Sequence, residues 1–459
     1  MQLLAEPPCV GCHRLGGGAL EVLEIPGDLA SQGFGDHFGA RGADTVECRQ
    51  LVTVREALQL GGWHFLDTPC CVAKGTWLVR GRTIGLEEVG DPAQGADRFH
   101  ASILPRNGCR TYGNIAGMAS RGAHGPDEQL VVDGRTVTIT SPEKVFFAAR
   151  GETKLDLARY YLDAGLAALR GVFERPTVLK RYPDGAEGKF FFQKRVPTNR
   201  PPWLETVTVE FPSGRSAEEL CPTDSAHIAW AVNLGCIDLN PWPVRRSDLE
   251  HPDELRVDLD PQPGVVFGDV RRTAMVVREL LAEYGLEGFP KTSGSRGIHI
   301  IVPVVPEHDF TAVRRAALAL ARAAERRLPA LVTAAWWKEE RGTKVFFDYN
   351  QNARDRTVAS VYSVRANPEG RVSCALEWDE VPDVEPQDLT IATVPQRLKE
   401  RGDPFSVLDD HRYRIDSLLE LAARDEAEGL GDAPWPPHFA KQSGEPHRAP
   451  PSRTRRKDG

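Results

Sequence analysis

The spacing of apolar and polar positions changes twice along this chain of 459 residues. Residues 1–128 have poor periodicity, although a few stretches, such as 75–86, alternate in a way that predicts a β-hairpin. Residues 129–428 alternate regularly between helical and strand patterns, whereas residues 429–459 are rich in proline and polar side chains. We therefore predict an unassigned, poorly ordered N-terminal extension, one folded domain and a disordered basic tail, with these boundaries.

Three segments of the middle region have the apolar spacing of amphipathic helices. The first begins after Thr153, because Thr153 and Asp156 match the capping-box pattern and apolar residues follow at helical spacing. The other two are 270–284 and 311–327, and each lies close to an acidic or glycine-rich motif. Helices separated by strand patterns indicate a mixed α/β domain.

Two aspartates stand two residues apart in the apolar run LRVDLDPQPG. If this run is a strand, the side chains of Asp258 and Asp260 leave it on one face. Asp348 ends another apolar run, KVFFD, where a carboxylate is costly unless it is solvated, paired or bound to a metal. An exposed edge or a turn at the Asp-Pro step is the alternative for the first pair. Three such carboxylates meeting in space would hold two divalent ions, one activating a 3′-hydroxyl and one taking charge on a leaving pyrophosphate.

A loop-then-strand pattern, TSGSRGIHIIVPV, lies between these acidic motifs. It is not a Walker loop, because no glycine-lysine-serine follows a four-residue spacer. Gly294 and Gly297 allow backbone amides to approach oxygen atoms closely, and the forked guanidinium of Arg296 suits phosphate. His299 alone would be interpreted as structural, but its place near Arg296 and the acidic residues favours a functional role. The pattern therefore predicts a polyphosphate-binding loop.

The segment KFFFQKR, residues 189–195, interleaves aromatic and cationic side chains. Such an arrangement stacks bases while it grips phosphates. In an extended segment Phe190 and Phe192 share one face and Phe191 takes the other, so at least one ring is predicted to lie in the core. A buried strand with charged ends is the alternative.

The composition limits which partners the protein can bind and in which cellular compartment it is expected. A formal net charge of −8 argues against coating nucleic acid by bulk charge but leaves room for a local basic groove. No apolar run approaches the length that crosses a bilayer and no signal peptide is visible, so a cytoplasmic protein is predicted; the nucleoid as its place there is implied only by the resemblance to a family described below. Cys9-Val-Gly-Cys12-His13 matches a haem-attachment pattern and half of a zinc site. Neither is favoured, because haem attachment needs export and no second CxxC is present.

The motifs LRVDLDP, TSGSRGIH and KVFFDYNQN, in this order, resemble the polymerase domain of bacterial ligase D, in the archaeo-eukaryotic primase superfamily. The stretches RPTVLKRYPDG, FFQKRVP and YSVR extend the resemblance over about residues 130–427. It implies a primase-like catalytic domain with a central sheet flanked by helices, of the stand-alone primase-polymerase type.

The resemblance also implies roles for individual residues. Asp258, Asp260 and Asp348 would bind two catalytic divalent ions, with Mn²⁺ preferred and Mg²⁺ the alternative. The other assignments are Ser293, Ser295, Arg296 and His299 for the nucleoside triphosphate, Arg365 for a position near it, Lys144 and Lys154 for the 5′-phosphate across a DNA gap, and Phe191 and Phe192 for stacking on the template.

The implied activity is template-dependent nucleotide transfer that fills short gaps or extends ends in DNA repair, by non-homologous end joining or excision repair. Pyrophosphate is released, and ribonucleotides are expected to be preferred. A non-catalytic module that binds and bridges DNA ends through a 5′-phosphate is the main alternative. A two-metal nuclease or phosphatase is disfavoured, because hydrolysis does not need a triphosphate-binding loop.

Two departures from the family pattern affect the expected partners. Only Lys457, Asp458 and Gly459 come near the KxDG motif of a ligase nucleophile. No ligase domain is therefore expected, and a separate DNA ligase and a Ku-type end-binding protein are the predicted partners, beside DNA and nucleoside triphosphates. Residues 1–128 resemble no part of the family.

Overall fold

A computed structural model describes residues 126–436, 439–441 and 445, together with the backbone of short strands between residues 12 and 103. The chain divides into two compact units, residues 1–119 and 120–459. The domain boundaries expected from the sequence stay predictions.

In the first unit, two short strands pair antiparallel, β1 (Cys12–Arg14) and β2 (Glu21–Leu23). An antiparallel sheet follows in the order β3-β4-β5-β6, formed by Cys71–Ala73, Thr76–Val79, Arg82–Val89 and Arg98–Ile103. Strands β4 and β5 form the hairpin predicted for residues 75–86. Most other residues of the predicted extension, and the side chains of the CxxCH motif, lie outside the described part of the chain.

The described part of the second unit contains the three helices that the sequence predicted. Its helices are α1 (Lys154–Arg170), α2 (Ser225–Asn233), α3 (Phe267–Glu283), α4 (Phe310–Arg327), α5 (Val394–Arg401) and α6 (Asp416–Ala427). The capping box of α1 is formed, since the backbone N–H of Asp156 donates to Thr153 Oγ1 at 3.2 Å and that of Thr153 donates to Asp156 Oδ2 at 2.9 Å. Among the described residues, no helix combines the length and the apolar character needed to cross a bilayer.

The strands of the second unit form two larger sheets and two short ladders. These strands are β7 (Glu128–Val132), β8 (Arg135–Ile139), β9 (Val145–Phe147), β10 (Glu152–Thr153), β11 (Thr177–Arg181), β12 (Phe191–Gln193), β13 (Thr206–Glu210), β14 (Ser216–Leu220), β15 (Cys236–Pro241), β16 (Glu254–Pro261), β17 (Phe289–Thr292), β18 (Ile298–Pro303), β19 (Val332–Thr333) and β20 (Val345–Phe347). One sheet has the order β12-β11-β14-β13 with β15 also paired to β11, and the other has the order β17-β18-β16-β20-β19. The predicted mixed α/β fold is confirmed.

Strand β16 runs through the middle of the second sheet, and its side chains alternate between the two faces. Leu255, Val257 and Leu259 are fully buried, and α3 and α4 pack against the strand. Each such side chain stabilises the fold by about 1.5–3 kcal/mol relative to exposure. The same alternation sends Asp258 and Asp260 to the opposite face, so the apolar core fixes where the acidic pair stands.

The structure differs from the predicted tail at its start. Residues 430–436 pack against α4, and Trp435 is only 3% exposed. The guanidinium carbon of Arg314 on α4 lies 4.0 Å from the centroid of the Trp435 ring. Composition alone does not reveal such contacts. The rest of the predicted tail lies outside the described residues, apart from 439–441 and 445.

Candidate active site

Two of the predicted metal ligands face each other across one amide. Asp258 lies on β16, and its backbone carbonyl accepts a hydrogen bond from the N–H of Asp348 at 2.9 Å, directly after β20. The side-chain nitrogen of Gln351 lies 3.2 Å from Asp258 Oδ2 and 3.2 Å from Asp348 Oδ2. Asp260 leaves the same face of β16 two residues further on and is exposed. The structure therefore places the three acidic residues at one end of the second sheet, although their carboxylate oxygens do not all lie within 4.8 Å of one another.

These carboxylates are short of positive charge. Burial raises the pKa of Asp258 to about 6, and burial with the charge on Asp258 raises the pKa of Asp348 to about 7. Burial and the charge on Asp258 also raise the pKa of Asp260. Such shifts mean that the ionised forms are poorly compensated by the protein alone. Oxygen donors in this condition fit a hard divalent cation such as Mn²⁺ or Mg²⁺.

A second acidic group contrasts with this one. Donor atoms of Glu307, His308 and Asp416 lie within 4.8 Å of one another. The guanidinium of Arg414, however, pairs with Glu307 at 2.8 Å and with Asp416 at 2.7 Å. A side chain of the protein thus already supplies the positive charge there.

His299 lies opposite Asp258 in the β16–β18 ladder and is oriented by a buried lysine. In its ammonium form Lys291 donates to His299 Nδ1 and to Ala359 O, both at 2.8 Å, and to Ser373 Oγ at 2.6 Å. The proton of the imidazole then sits on Nε2, 3.4 Å from Asp258 Oδ1. Burial and then the charge on Lys291 hold the pKa of His299 well below its usual range. The ring is therefore a neutral hydrogen-bond donor aimed at the acidic site.

The predicted phosphate-binding loop curls around its own serine. Ser293 Oγ accepts from the backbone N–H of Ser295 at 3.1 Å and of Gly297 at 3.0 Å. A Cβ at Gly297 would clash with the carbonyl oxygen of Leu259, so the loop lies directly against β16. Ser295 and Arg296 point outward and are exposed. The loop thus presents a hydroxyl and a guanidinium beside the carboxylates.

Arg365 is placed near the site but is already ion-paired. Its Nε lies 3.3 Å from Asp238 Oδ2, and Asp238 is buried at 1% exposure. The other oxygen of Asp238 accepts from Ser363 Oγ at 3.4 Å. This pair holds the guanidinium at the wall of the cleft.

An open cleft of about 430 Å³ brings most of these groups together. Its walls include Asp258, Asp260, Ser293, Ser295, Arg296, His299 and Arg365, and also Lys180 and Phe192. The volume lies within the range of about 300–1,000 Å³ that is usual for small-molecule sites.

The aromatic segment contradicts one expectation. Phe190, Phe191 and Phe192 are 52%, 45% and 55% exposed, so the prediction that at least one ring lies in the core is wrong. The cause is the position of β12 at the edge of its sheet, where the rings contact cations of β11 and remain partly exposed to solvent. Lys180 Nζ lies 4.3 Å from the Phe190 centroid, and Arg181 Cζ lies 5.1 Å from the Phe191 centroid. The rings thus remain available for stacking.

Lys144 and Lys154 lie side by side but do not line the cleft. The backbone N–H of Lys154 donates to the carbonyl of Lys144 at 2.8 Å. Lys144 is exposed, with Nζ 3.6 Å from Asp184, whereas Lys154 is buried with Nζ 2.7 Å from Thr140 O. Burial, with the charge on Lys144, lowers the pKa of Lys154 to about 8. The two cations form a patch separate from the acidic residues.

Sequence reasoning missed several residues of the site. Gln351 stands three residues after Asp348, a spacing that brings side chains together in one helical turn, so this contact was predictable. Lys291 faces His299 only through the pairing of β17 with β18, which the sequence does not reveal. Lys338 and Arg341 also act on the site, since their charges oppose the rise in the pKa of Asp260 that burial causes.

Comparison with known proteins gives concordant matches. The family model described as "LigD, primase-polymerase domain" matches residues 153–405. The chain is 32% identical over 293 residues to the multifunctional non-homologous end joining protein LigD of Mycolicibacterium smegmatis, covering 63% of this chain and 38% of that protein. The LigD of Pseudomonas aeruginosa is 30% identical over 293 residues, covering 62% of this chain and 34% of that protein. The chain thus spans well under half the length of these relatives.

A solved structure supports the same relationship. The polymerase domain of Mycobacterium tuberculosis ligase D, in complex with DNA, superposes with a TM-score of 0.57 at 31% sequence identity. The match covers 60% of this chain and 99% of that domain. The predicted primase-like fold is therefore confirmed.

Proposed function

Because the chain belongs to the family of LigD primase-polymerase domains, we propose that it is a template-dependent nucleotidyltransferase that fills short gaps or extends ends in DNA repair. Its substrates are DNA with a gap or a broken end and a nucleoside triphosphate, with ribonucleotides preferred over deoxynucleotides. The relatives described above are named as non-homologous end joining proteins, which favours that pathway over excision repair.

The observation that carries the proposal is the cleft that Asp258 and Asp260 share with the 293–297 loop, with Asp348 held beside Asp258 by Gln351. Asp258 faces Asp348 across the amide of Gln351, while Arg296 stands exposed on the neighbouring loop. Carboxylates alone would repel a triphosphate. Divalent ions held by the carboxylates would remove this repulsion, because they would supply positive charge and because carboxylate and phosphate oxygens are both hard ligands.

Each group has a proposed role in the transfer. Asp258, Asp260 and Asp348 would hold two ions, preferentially Mn²⁺, which would activate the primer hydroxyl and stabilise charge on the departing pyrophosphate. His299 would donate its Nε2 hydrogen to a phosphate oxygen, and the fork of Arg296 would bind the same triphosphate.

Three further residues complete the nucleotide site. Ser293 shapes the loop, and Ser295 offers its exposed hydroxyl to the phosphates. Arg365, fixed by its ion pair with Asp238, lies directly against Gly294 and would contact the nucleotide beside the loop.

Two surfaces outside the acidic site would bind DNA. The patch of Lys144 and Lys154 would take the 5′-phosphate on the far side of a gap, Lys144 directly and Lys154 by its charge from beneath the surface. Phe191 and Phe192 would stack on template bases, a role supported by their exposure and by the neighbouring cations Lys180 and Arg181, which suit the phosphates of the template.

The product of gap filling is a nick, and this defines the partners. We propose that a DNA ligase separate from residues 126–436 seals the nick, and that a Ku-type protein holds the ends. Both would act with this protein in the cytoplasm, at the nucleoid.

The test is extension of a labelled primer across a short gap with a downstream 5′-phosphate, in Mn²⁺, comparing ribo- and deoxynucleotides. Asp258→Asn removes one charge without changing the shape of the side chain. We expect its incorporation rate to fall by more than the roughly 10–100-fold that loss of a residue supporting a metal ligand costs. Its affinity for the gapped DNA should not change. The control, Asp163→Asn on the exposed face of α1, should behave as the wild type.

Another result would select a different function. No incorporation by the wild-type chain, combined with tight binding that needs the 5′-phosphate, would indicate a non-catalytic module that bridges DNA ends. The separation of the Lys144 and Lys154 patch from the cleft favours this candidate over others. Release of nucleotides from DNA without added triphosphate would indicate a two-metal nuclease.

A further inference from the structure

The short 3₁₀ helix after Asp348 is held from outside the cleft. This helix, Tyr349–Asn352, carries Gln351, the residue that contacts both Asp258 and Asp348. Another of its residues, Asn350, is buried and faces α4 instead of the cleft. Whatever fixes the buried side of this helix therefore also fixes two groups of the acidic site.

Asn352 ties one end of the helix to the backbone of Arg256 on β16, and Arg314 on α4 holds the helix at Asn350. Arg314 is 1% exposed, and its Nε donates to Asn350 Oδ1 at 2.7 Å. Its Nη1 donates to Asp432 Oδ1 at 2.8 Å, and its Nη2 donates to the carbonyl of Ala433 at 2.9 Å. The side chain of Asn350 also donates directly to the carbonyl of Pro434 at 3.3 Å. Acceptors from residues 432–434 thus complete the environment of a buried cation.

Residues 430–436, called the strap below, close over this guanidinium. The ring centroid of Trp435 lies 4.0 Å from Arg314 Cζ, and that of Tyr349 lies 5.1 Å from it. Trp435 is fixed in turn, since its Nε1 donates to Asp432 Oδ2 at 2.7 Å and its backbone N–H donates to Glu445 Oε1 at 2.8 Å. The strap, Arg314 and the 3₁₀ helix form one continuous chain of contacts.

We propose that the strap is a positioning element for the acidic site, which keeps Asp348 and Gln351 in place through Arg314 and Asn350. The physical reason is that a buried guanidinium needs acceptors. Without the strap, Nη1 and Nη2 of Arg314 would lose their hydrogen-bond acceptors. Arg314 would then turn towards solvent, and Asn350 would lose its hydrogen bond from Arg314. This inference rests on the proposed function, because it concerns ligands of the ions proposed there.

The experiment compares three variants of the full-length chain. Trp435→Ala opens the strap, and Trp435→Phe is the conservative variant that keeps an aromatic ring without the indole N–H. Arg315→Ala is the matched control, because Arg315 is the next residue on α4 but pairs with Glu426 on α6. Three properties are measured: Mn²⁺ affinity, from the paramagnetic resonance signal of the free ion; amide hydrogen exchange at residues 348–352; and binding of gapped DNA with a 5′-phosphate.

For Trp435→Ala we expect Mn²⁺ affinity to fall about tenfold, the lower end of what loss of a residue supporting a metal ligand costs. Exchange at residues 348–352 should become faster, and DNA affinity should not change. Trp435→Phe should recover most of the Mn²⁺ affinity, and Arg315→Ala should match the wild type. A purely structural role would move the unfolding temperature without this selective loss.

Equal Mn²⁺ affinity and equal exchange in the wild type and Trp435→Ala would overturn the proposal. If Trp435→Ala does not fold, Asp432→Asn, which weakens one acceptor of Arg314, provides the same comparison, and the same equality would overturn it. If the wild-type chain binds Mn²⁺ and incorporates nucleotides, and the strap variants do both equally well, only the proposed role of the strap is refuted. A wild-type chain that does neither refutes the proposed function, and the strap inference with it.

Discussion

At the scale of single residues, the acidic site consists of carboxylates that the fold leaves under-compensated. Burial raises the pKa of Asp258 to about 6, although the charge on Lys291 opposes the rise. Burial and the neighbouring charge of Asp258 raise the pKa of Asp348 to about 7. Only the ionised carboxylate is a metal ligand, so a divalent ion must displace protons when it binds below these pKa values.

We predict that Mn²⁺ binds about tenfold more weakly at pH 6 than at pH 8. At pH 8 both Asp258 and Asp348 are mostly ionised and ready to bind. At pH 6 Asp348 is mostly protonated and Asp258 about half protonated, so the ion must release these protons. Titration calorimetry in buffers of different ionisation enthalpy measures the release. Asp348→Asn should release fewer protons at pH 6, and a release that is equal at the two pH values would contradict the prediction.

Residues of the site were predictable from the sequence where their spacing is local. Asp258 and Asp260 share a face because they stand two apart on a strand, which the pattern predicts directly. Lys291 was not predictable, because it meets His299 only after β17 and β18 have paired in one particular register. A contact that depends on register between strands leaves no signature in either strand alone.

At the scale of elements, a helix start is predictable because its contacts are local, whereas the environment of an edge strand depends on its neighbours. Helix α1 begins where the sequence predicted, because the side chains of Thr153 and Asp156 each accept a hydrogen bond from the backbone N–H of the other residue. Both residues lie within one stretch of four, so the sequence alone shows the pattern. The burial of β12 was predicted wrongly, because alternation along a strand shows which side chains share a face but not what covers that face. Lys180 contacts the face of Phe190 and Phe192, Arg181 contacts the face of Phe191, and both cations come from the neighbouring strand β11.

The 293–297 loop is an element whose shape depends on close backbone approach, and we predict that Gly297→Ala damages it. The added Cβ would clash with the carbonyl of Leu259, so either the loop or β16 must shift. The KM for nucleoside triphosphate should rise about tenfold, as expected for the loss of about 1.4 kcal/mol of binding. Steady-state primer extension measures it.

The control for the loop is Gly268→Ala on α3, where the nearest atom to the added Cβ would lie 3.7 Å away. This variant should keep the KM of the wild type. An unchanged KM in Gly297→Ala would show that the loop does not bind the triphosphate, because the substitution cannot be accommodated there without movement.

At the scale of the whole molecule, every residue proposed to act on DNA or nucleotide lies between Lys144 and Arg365, within the unit formed by residues 120–459. The order of three motifs was sufficient to predict the family, since together they supply the acidic ligands and the loop. The strap was not predictable, because proline and polar residues after residue 429 indicate disorder by composition, while the burial of Trp435 depends on the distant Arg314.

This arrangement predicts that a chain of residues 120–459 keeps kcat/KM for gap filling within about threefold of the full-length protein. The reason is that the family match starts at residue 153 and that the hydrogen bonds and ion pairs described for the cleft join residues of this unit only. Primer extension on the same gapped DNA measures the ratio, and circular dichroism verifies that the shortened chain is folded. A folded chain that has lost activity would instead assign residues 1–119 a direct part in binding DNA or nucleotide.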